Sequence, residues 1–202
     1  MIIELCGFPG VGKFTIGTAL AVRLNARLLD NHSLYNVAFA LTEFRSELFD
    51  RTVRAVREIA WNAAAELSPD VPLILTTAFG SRRAWSEEWC EAVKTLARRR
   101  DCPLLIVHLI CEPNENRRRI GCVGRRIGCV DRQAARKPTD PSVVDGQAQR
   151  IAMVDHGDDL LTLDVTHLTA QQVADEIERW VTEGSRATRP LRTPSAPSSP
   201  GT

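Results

Sequence analysis

The sequence predicts an α/β fold in three layers, a five-stranded parallel sheet with helices on both sides. Short apolar, β-rich runs alternate along the chain with longer stretches of helical periodicity. The connections are long enough for the crossovers that parallel neighbours require. With 202 residues, 44 % of them hydrophobic and 25 % charged, the chain suits one well-buried core.

Taken in order, IIELC (2–6) is the first strand, and residues 15–24 carry Ile16, Ala19, Leu20 and Leu24 at helical spacing. ARLLD (26–30) is the second strand. Residues 34–67, rich in Ala, Leu, Arg and Glu, read as helix broken near 42–44. VPLILTTAF (71–79) is the third strand, and 81–100 is helical, with Ser81 or Ser86 as a cap. PLLIVHLIC (103–111) is the longest apolar run and the candidate central strand, buried on both faces. Residues 160–165 form the fifth strand, and an amphipathic helix over 169–180 opens on TAQQ, a capping-box pattern. The domain is expected to span 1–182. Residues 183–202 hold four prolines and almost no large apolar side chains, the composition of a disordered tail.

The 26 basic and 25 acidic residues leave a net charge of +1, which argues against a general polyanion surface and so against nucleic acid as a partner. No apolar run approaches a bilayer span and no leader pattern opens the chain, so a cytoplasmic location is expected. Cys6, Cys90, Cys102, Cys111, Cys122 and Cys129 contain no CxxC pair. They read as reduced, structural thiols.

The motif richest in chemistry is GFPGVGKFT, residues 7–15. Gly7, Gly10 and Gly12 let main-chain N–H groups converge on one anion, ahead of a helix N-terminus that favours negative charge. Lys13 adds a cation able to follow the β- and γ-phosphates. The motif lies between an apolar strand and an amphipathic helix, the context a phosphate loop requires. Phe14, however, stands where a magnesium-binding Ser or Thr usually follows the lysine.

The string GxPGxGKxT resembles the P-loop of nucleoside monophosphate kinases, many of which also lack a hydroxyl directly after the lysine. The resemblance implies that Gly7, Pro9, Gly10, Val11, Gly12, Lys13, Phe14 and Thr15 form an ATP site, with Thr15 on the α-phosphate and Mg²⁺ held mainly through water. It also implies the strand order 2-3-1-4-5.

In such a sheet, ligands sit beyond the carboxyl ends of the strands. Asp30-Asn31-His32 follows the second strand, where a carboxylate could accept the proton of an attacking hydroxyl or hold a magnesium water. In shikimate-kinase-like proteins an aspartate follows this strand, and Asp30 matches it by place. The same residues also suit a capped turn, and His32 is a second candidate base. After the third strand Thr76-Thr77 stand where many P-loop proteins have an acid, which argues against a motor-type ATPase.

Arg117, Arg118, Arg119, Arg125, Arg126, Arg132 and Arg136, interspersed with glycines, suit a lid over phosphates at about residues 117–141. The segment contains a tandem heptad, RRIGCVG then RRIGCVD. DRQAARKPTDP (131–141) with LLTLDVTHLTAQQVADEI (160–177) resembles the lid and C-terminal segments of small P-loop kinases related to shikimate and gluconate kinases. That likeness implies Arg132 as the γ-phosphate contact, Arg125 or Arg118 beside it, and Thr166 at the border of the adenine.

The leading reading is therefore an ATP- and Mg²⁺-dependent kinase acting on a hydroxyl of a small molecule, with Lys13, Asp30 and Arg132 catalytic and Asp30 near the metal through water. Two alternatives stand beside it: a nucleotide-binding regulator with little turnover, and a polynucleotide 5′-hydroxyl kinase.

Overall fold

A computed structural model of the chain describes residues 1–78, 82–121, 140–145 and 154–187. Five parallel strands form one sheet: β1 (Ile2–Gly7), β2 (Arg27–Leu29), β3 (Leu73–Ala78), β4 (Leu104–Ile110) and β5 (Asp159–Asp164), in the order β2-β3-β1-β4-β5. The parallel sheet is the one the alternating pattern predicts, and its order is the one the kinase resemblance implies. The helices are α1 (Lys13–Leu24), α2 (Asn31–Leu41), α3 (Glu47–Ala65), α4 (Arg83–Arg99), α5 (Pro113–Ile120) and α6 (Ala170–Ala187). A short 3₁₀ turn covers Pro141–Val144.

β1 is the central strand and every residue in it is buried. Its side chains alternate between two cores, as the pleat demands. Ile2 and Cys6 pack with Trp61 of α3 and with Trp89, Val93 and Leu96 of α4. Ile3 and Leu5 pack on the opposite face with Ile16 and Leu20 of α1 and Val173 and Ile177 of α6. The edge strands are thinner; β2 has three residues and β5 exposes alternate positions.

Boundaries follow local chemistry. The break within 34–67 falls where Ser46 caps α3 by accepting from Phe49 N at 3.1 Å. Thr169 and Gln172 bond reciprocally, Gln172 N to Thr169 Oγ1 at 3.2 Å and Thr169 N to Gln172 Oε1 at 2.9 Å, and so make the capping box that opens α6. The α3 C-terminus is closed by buried Arg100, whose guanidinium donates to the carbonyls of Ala64 and, at 2.8 Å, Val71. Three differences from the sequence reading stand out. The central strand is β1, not the longer apolar run of β4. α6 continues to Ala187 rather than ending near Trp180, and residues 188–202 of the expected tail lie outside the described residues. The start of the expected lid is helix: Glu112 caps α5 by accepting from Glu115 N, and Pro113 occupies its first turn, where no amide donor is needed.

Candidate functional site

β1 ends at Gly7, and the chain wraps through Gly10 (φ 95°) and Gly12 (φ 100°), left-handed values that glycine tolerates, into α1. The helix ladder opens with Ile16 N on Gly12 O at 2.9 Å, so the N–H groups of residues 13–15 precede the ladder at the positive end of the helix. Lys13 folds back over the loop, its Nζ donating to Gly7 O at 2.7 Å and Phe8 O at 2.9 Å. Val11 is buried in the core and anchors the loop from beneath, whereas Pro9 is partly buried. Phe14 is 50 % exposed and Thr15 is also exposed; the ring does not fill the loop.

Asp30 lies at the carboxyl end of β2 and is 7 % exposed. Thr76, at the corresponding end of β3, donates from Oγ1 to Asp30 Oδ1 at 2.7 Å and accepts from Asn31 N at 3.0 Å. The residue found where an acid is common thus fixes an acid contributed by the neighbouring strand. His32 stacks on Phe39, with ring centroids 6.2 Å apart.

Next along the chain from Asp30, Asn31 lines a small cleft, partly open to solvent, together with Tyr35, Thr77, Trp85, Trp89 and His156, among others. Tyr35 OH accepts from Trp85 Nε1 at 2.9 Å. The other aromatic residues of the region, Phe39, Phe44 and Phe49, pack on one another, and Arg45 lies 5.1 Å over the Phe44 ring. Below the cleft, buried Glu4 accepts from Thr77 Oγ1 at 2.5 Å and Trp89 Nε1 at 2.7 Å and pairs with His156 Nε2 at 2.6 Å. Burial alone would lower the His156 pKa, but the proximity of Cys90 and the hydrogen-bonded charge of Glu4 prevail, raising it to about 10. The imidazolium and carboxylate therefore form a buried ion pair. Burial and the nearby Glu4 push the Cys6 thiol far up, which keeps it protonated.

α5 crosses the back of the loop. Arg119 donates to Val165 O at 2.8 Å, to Thr166 O at 3.0 Å and, at 3.4 Å, to Val11 O, tying the loop to the end of β5. The Thr166 hydroxyl is engaged locally, accepting from Glu112 N at 2.9 Å and donating to Asp164 Oδ1 at 2.5 Å. Arg118 is half exposed on α5 and bonds Glu115 through Nε at 2.6 Å and Nη2 at 2.7 Å. Hydrogen bonds from Arg118 and Arg119 hold the Glu115 carboxyl down at about 2. Arg117 pairs with Asp145 at 2.7 Å. Arg125 and Arg132 lie outside the described residues.

The structure thus brings the phosphate-type loop, Asp30 and an aromatic cleft to one end of the sheet. Sequence reasoning did not single out Glu4, Trp85, Trp89, Asn116 or His156 as site residues, and it named Arg119 only among the lid arginines. A charged residue at position 4 of an otherwise apolar strand was the available signal for Glu4. His156 carried none, being 152 positions from its partner.

No protein-family model matches the sequence, and no curated protein matches it. Solved structures do match. A candidate kinase from Chloroflexus aurantiacus is 22 % identical with a TM-score of 0.62, over 91 % of this chain and 96 % of that one. A gluconokinase from Sinorhizobium meliloti is 14 % identical with a TM-score of 0.58, over 93 % and 97 %. Chaetomium thermophilum Kti12, solved with ADP-AlF3, is 16 % identical with a TM-score of 0.53, over 89 % and 98 %. Shikimate kinases also match. The class this defines is one of fold: the chain has the three-layer P-loop architecture of small-molecule kinases.

Proposed function

We propose that this protein is an ATP-dependent phosphotransferase that carries the γ-phosphate to a hydroxyl group of a small molecule. The observation supporting this most directly is that a glycine loop crowned by Lys13, a buried carboxylate, Asp30, oriented by Thr76, and an aromatic cleft that Asn31 helps to line all stand at the carboxyl end of one parallel sheet. The loop amides and Lys13 would bind the phosphates, and Lys13 would leave the carbonyls of Gly7 and Phe8 to do so. Asp30 would accept the acceptor's proton, and the cleft would hold the acceptor close enough for in-line attack. Arg132 and Arg125 are proposed to stabilise the transferring charge, and Thr166 to border the adenine. Arg118 is the weaker candidate because Glu115 already engages it.

The donor set suits Mg²⁺, a hard cation that keeps several waters; Asp30 would hold it through one of them, since Phe14 supplies no oxygen. The metal would neutralise charge developing on the phosphates. No helix among the described residues is long and apolar enough to cross a membrane.

The test is ADP formation from ATP and Mg²⁺, with and without a panel of hydroxylated metabolites. Acceptor-dependent turnover that Lys13→Ala abolishes is expected. Nucleotide binding unchanged in Lys13→Ala would overturn the reading. Thr76 and Thr77, which stand where many P-loop proteins carry an acid, favour a second reading, a nucleotide-binding protein with little turnover. In that case ADP formation would stay at background with every acceptor while ATP still binds.

A further inference from the structure

Asn116 is a polar residue in an apolar place. It sits on α5 directly behind the phosphate-type loop, is 0 % exposed, and neither Oδ1 nor Nδ2 has a hydrogen-bond partner among the described residues. Its carboxamide presses on the loop: a Cβ placed on Gly10 would come within 2.2 Å of Asn116 Oδ1 and 2.5 Å of Ile120 Cγ1. One turn further along the same face, Arg119 reaches Val11 O. A buried amide without partners carries its full desolvation penalty and returns nothing, so in the state shown an apolar side chain would serve better.

Gly10 gives its flanking peptides freedom to rotate. When their N–H groups turn inward to a phosphate, the carbonyls on the opposite edge turn outward, toward α5. Resting on the nucleotide-site reading above, we propose that Asn116 is a positioning residue of the loop, its Nδ2 donating to a carbonyl flanking Gly10 when phosphate is bound. The amide has no partner among the described residues and would gain one when phosphate is bound. Its differential hydrogen bonding therefore biases the loop toward the phosphate-binding arrangement. It touches neither nucleotide nor acceptor.

The claim separates two quantities that an ordinary packing residue would move together. Asn116→Leu, close in volume and unable to hydrogen-bond, should raise the melting temperature of the nucleotide-free protein by about 2–4 °C. The same substitution should weaken ADP binding about tenfold, measured by calorimetry with Mg²⁺. Asn116→Ala guards against misfit of the larger side chain: it creates a small cavity and lowers the nucleotide-free melting temperature, but should weaken ADP binding to the same degree. Wild-type protein that binds ADP while both variants bind it equally well overturns the role of Asn116 alone. A nucleotide-free melting temperature lowered by Asn116→Leu, with unchanged ADP affinity, marks a packing residue and likewise overturns it. Failure of the wild-type protein to bind ADP overturns the nucleotide-site reading and this proposal together.

Discussion

Replacing His156 should change how stability depends on pH, because the Glu4–His156 pair is buried beneath the cleft and titrates far from its unfolded value. His156 is raised to about 10 in the folded protein, against about 6.5 for an unperturbed histidine. A raised pKa means that its contribution is fully present below about 6.5 and is lost as pH climbs through about 10. Within that window the protein should lose stability at up to about 1.4 kcal/mol per pH unit, on the order of 5 kcal/mol across the interval as an upper bound. The groups facing the imidazole are Glu4 and the thiols of Cys6 and Cys90. Their titration is largely subtracted by comparing wild-type protein with His156→Gln. Urea-unfolding midpoints measured from pH 6 to 10 should fall steeply in the wild type and remain flatter in the variant. Glu4→Gln provides the opposite sign: without the carboxylate, burial dominates, the imidazole prefers to be neutral, and stability should rise between pH 5 and 7. Parallel wild-type and His156→Gln curves would refute the reasoning.

Thr76→Val removes the donor to Asp30 and the acceptor of Asn31 N. It should cost about 1–3 kcal/mol in urea unfolding and lower kcat with an identified acceptor by about tenfold or more, leaving ATP affinity nearly unchanged. Gly10→Ala places a methyl group against Asn116 and Ile120 at φ 95°; a loss of about 2–4 kcal/mol and of ATP-dependent thermal stabilisation is expected. Phe14→Ser acts at a half-exposed site, so stability should change by no more than about 0.5 kcal/mol. The half-saturating Mg²⁺ concentration for turnover should fall, because a hydroxyl now occupies the usual metal-binding position.

The fold was legible because its signals are local. A phosphate-type loop needs consecutive residues, and the alternation of apolar runs with helical stretches reports sheet and layer without knowledge of tertiary contacts. Asp30 was legible in part: its place after β2 could be read, but its restraint by Thr76, 46 positions away, could not. The helix α5 was obscured because its arginines resemble a lid, although Glu112-Pro113 followed by Glu115 is capping chemistry in plain sight. Asn116 was illegible for a different reason. A polar residue in an arginine-rich helix looks solvated, and only the packing of that helix against the loop reveals that it is buried.

The arrangement of the site follows from one strand. In β1 the positions 2, 4 and 6 face α3 and α4, while 3 and 5 face α1 and α6. Glu4 therefore stands under the cleft, three residues or about 10 Å before the loop begins at Gly7. β3 separates β1 from β2 and carries Thr76 beside Asp30, with Thr77 above Glu4 on the cleft side. Phosphate loop, cleft floor and carboxylate are thus spaced by the rise of one strand and the separation of two neighbours, without a long loop to place them. A one-residue shift of β1 against β3 would turn Glu4 into the apolar layer of α1 and α6, leaving His156 charged and alone. The same pairing register that builds the core consequently fixes where the loop, Glu4 and Thr77 stand relative to one another.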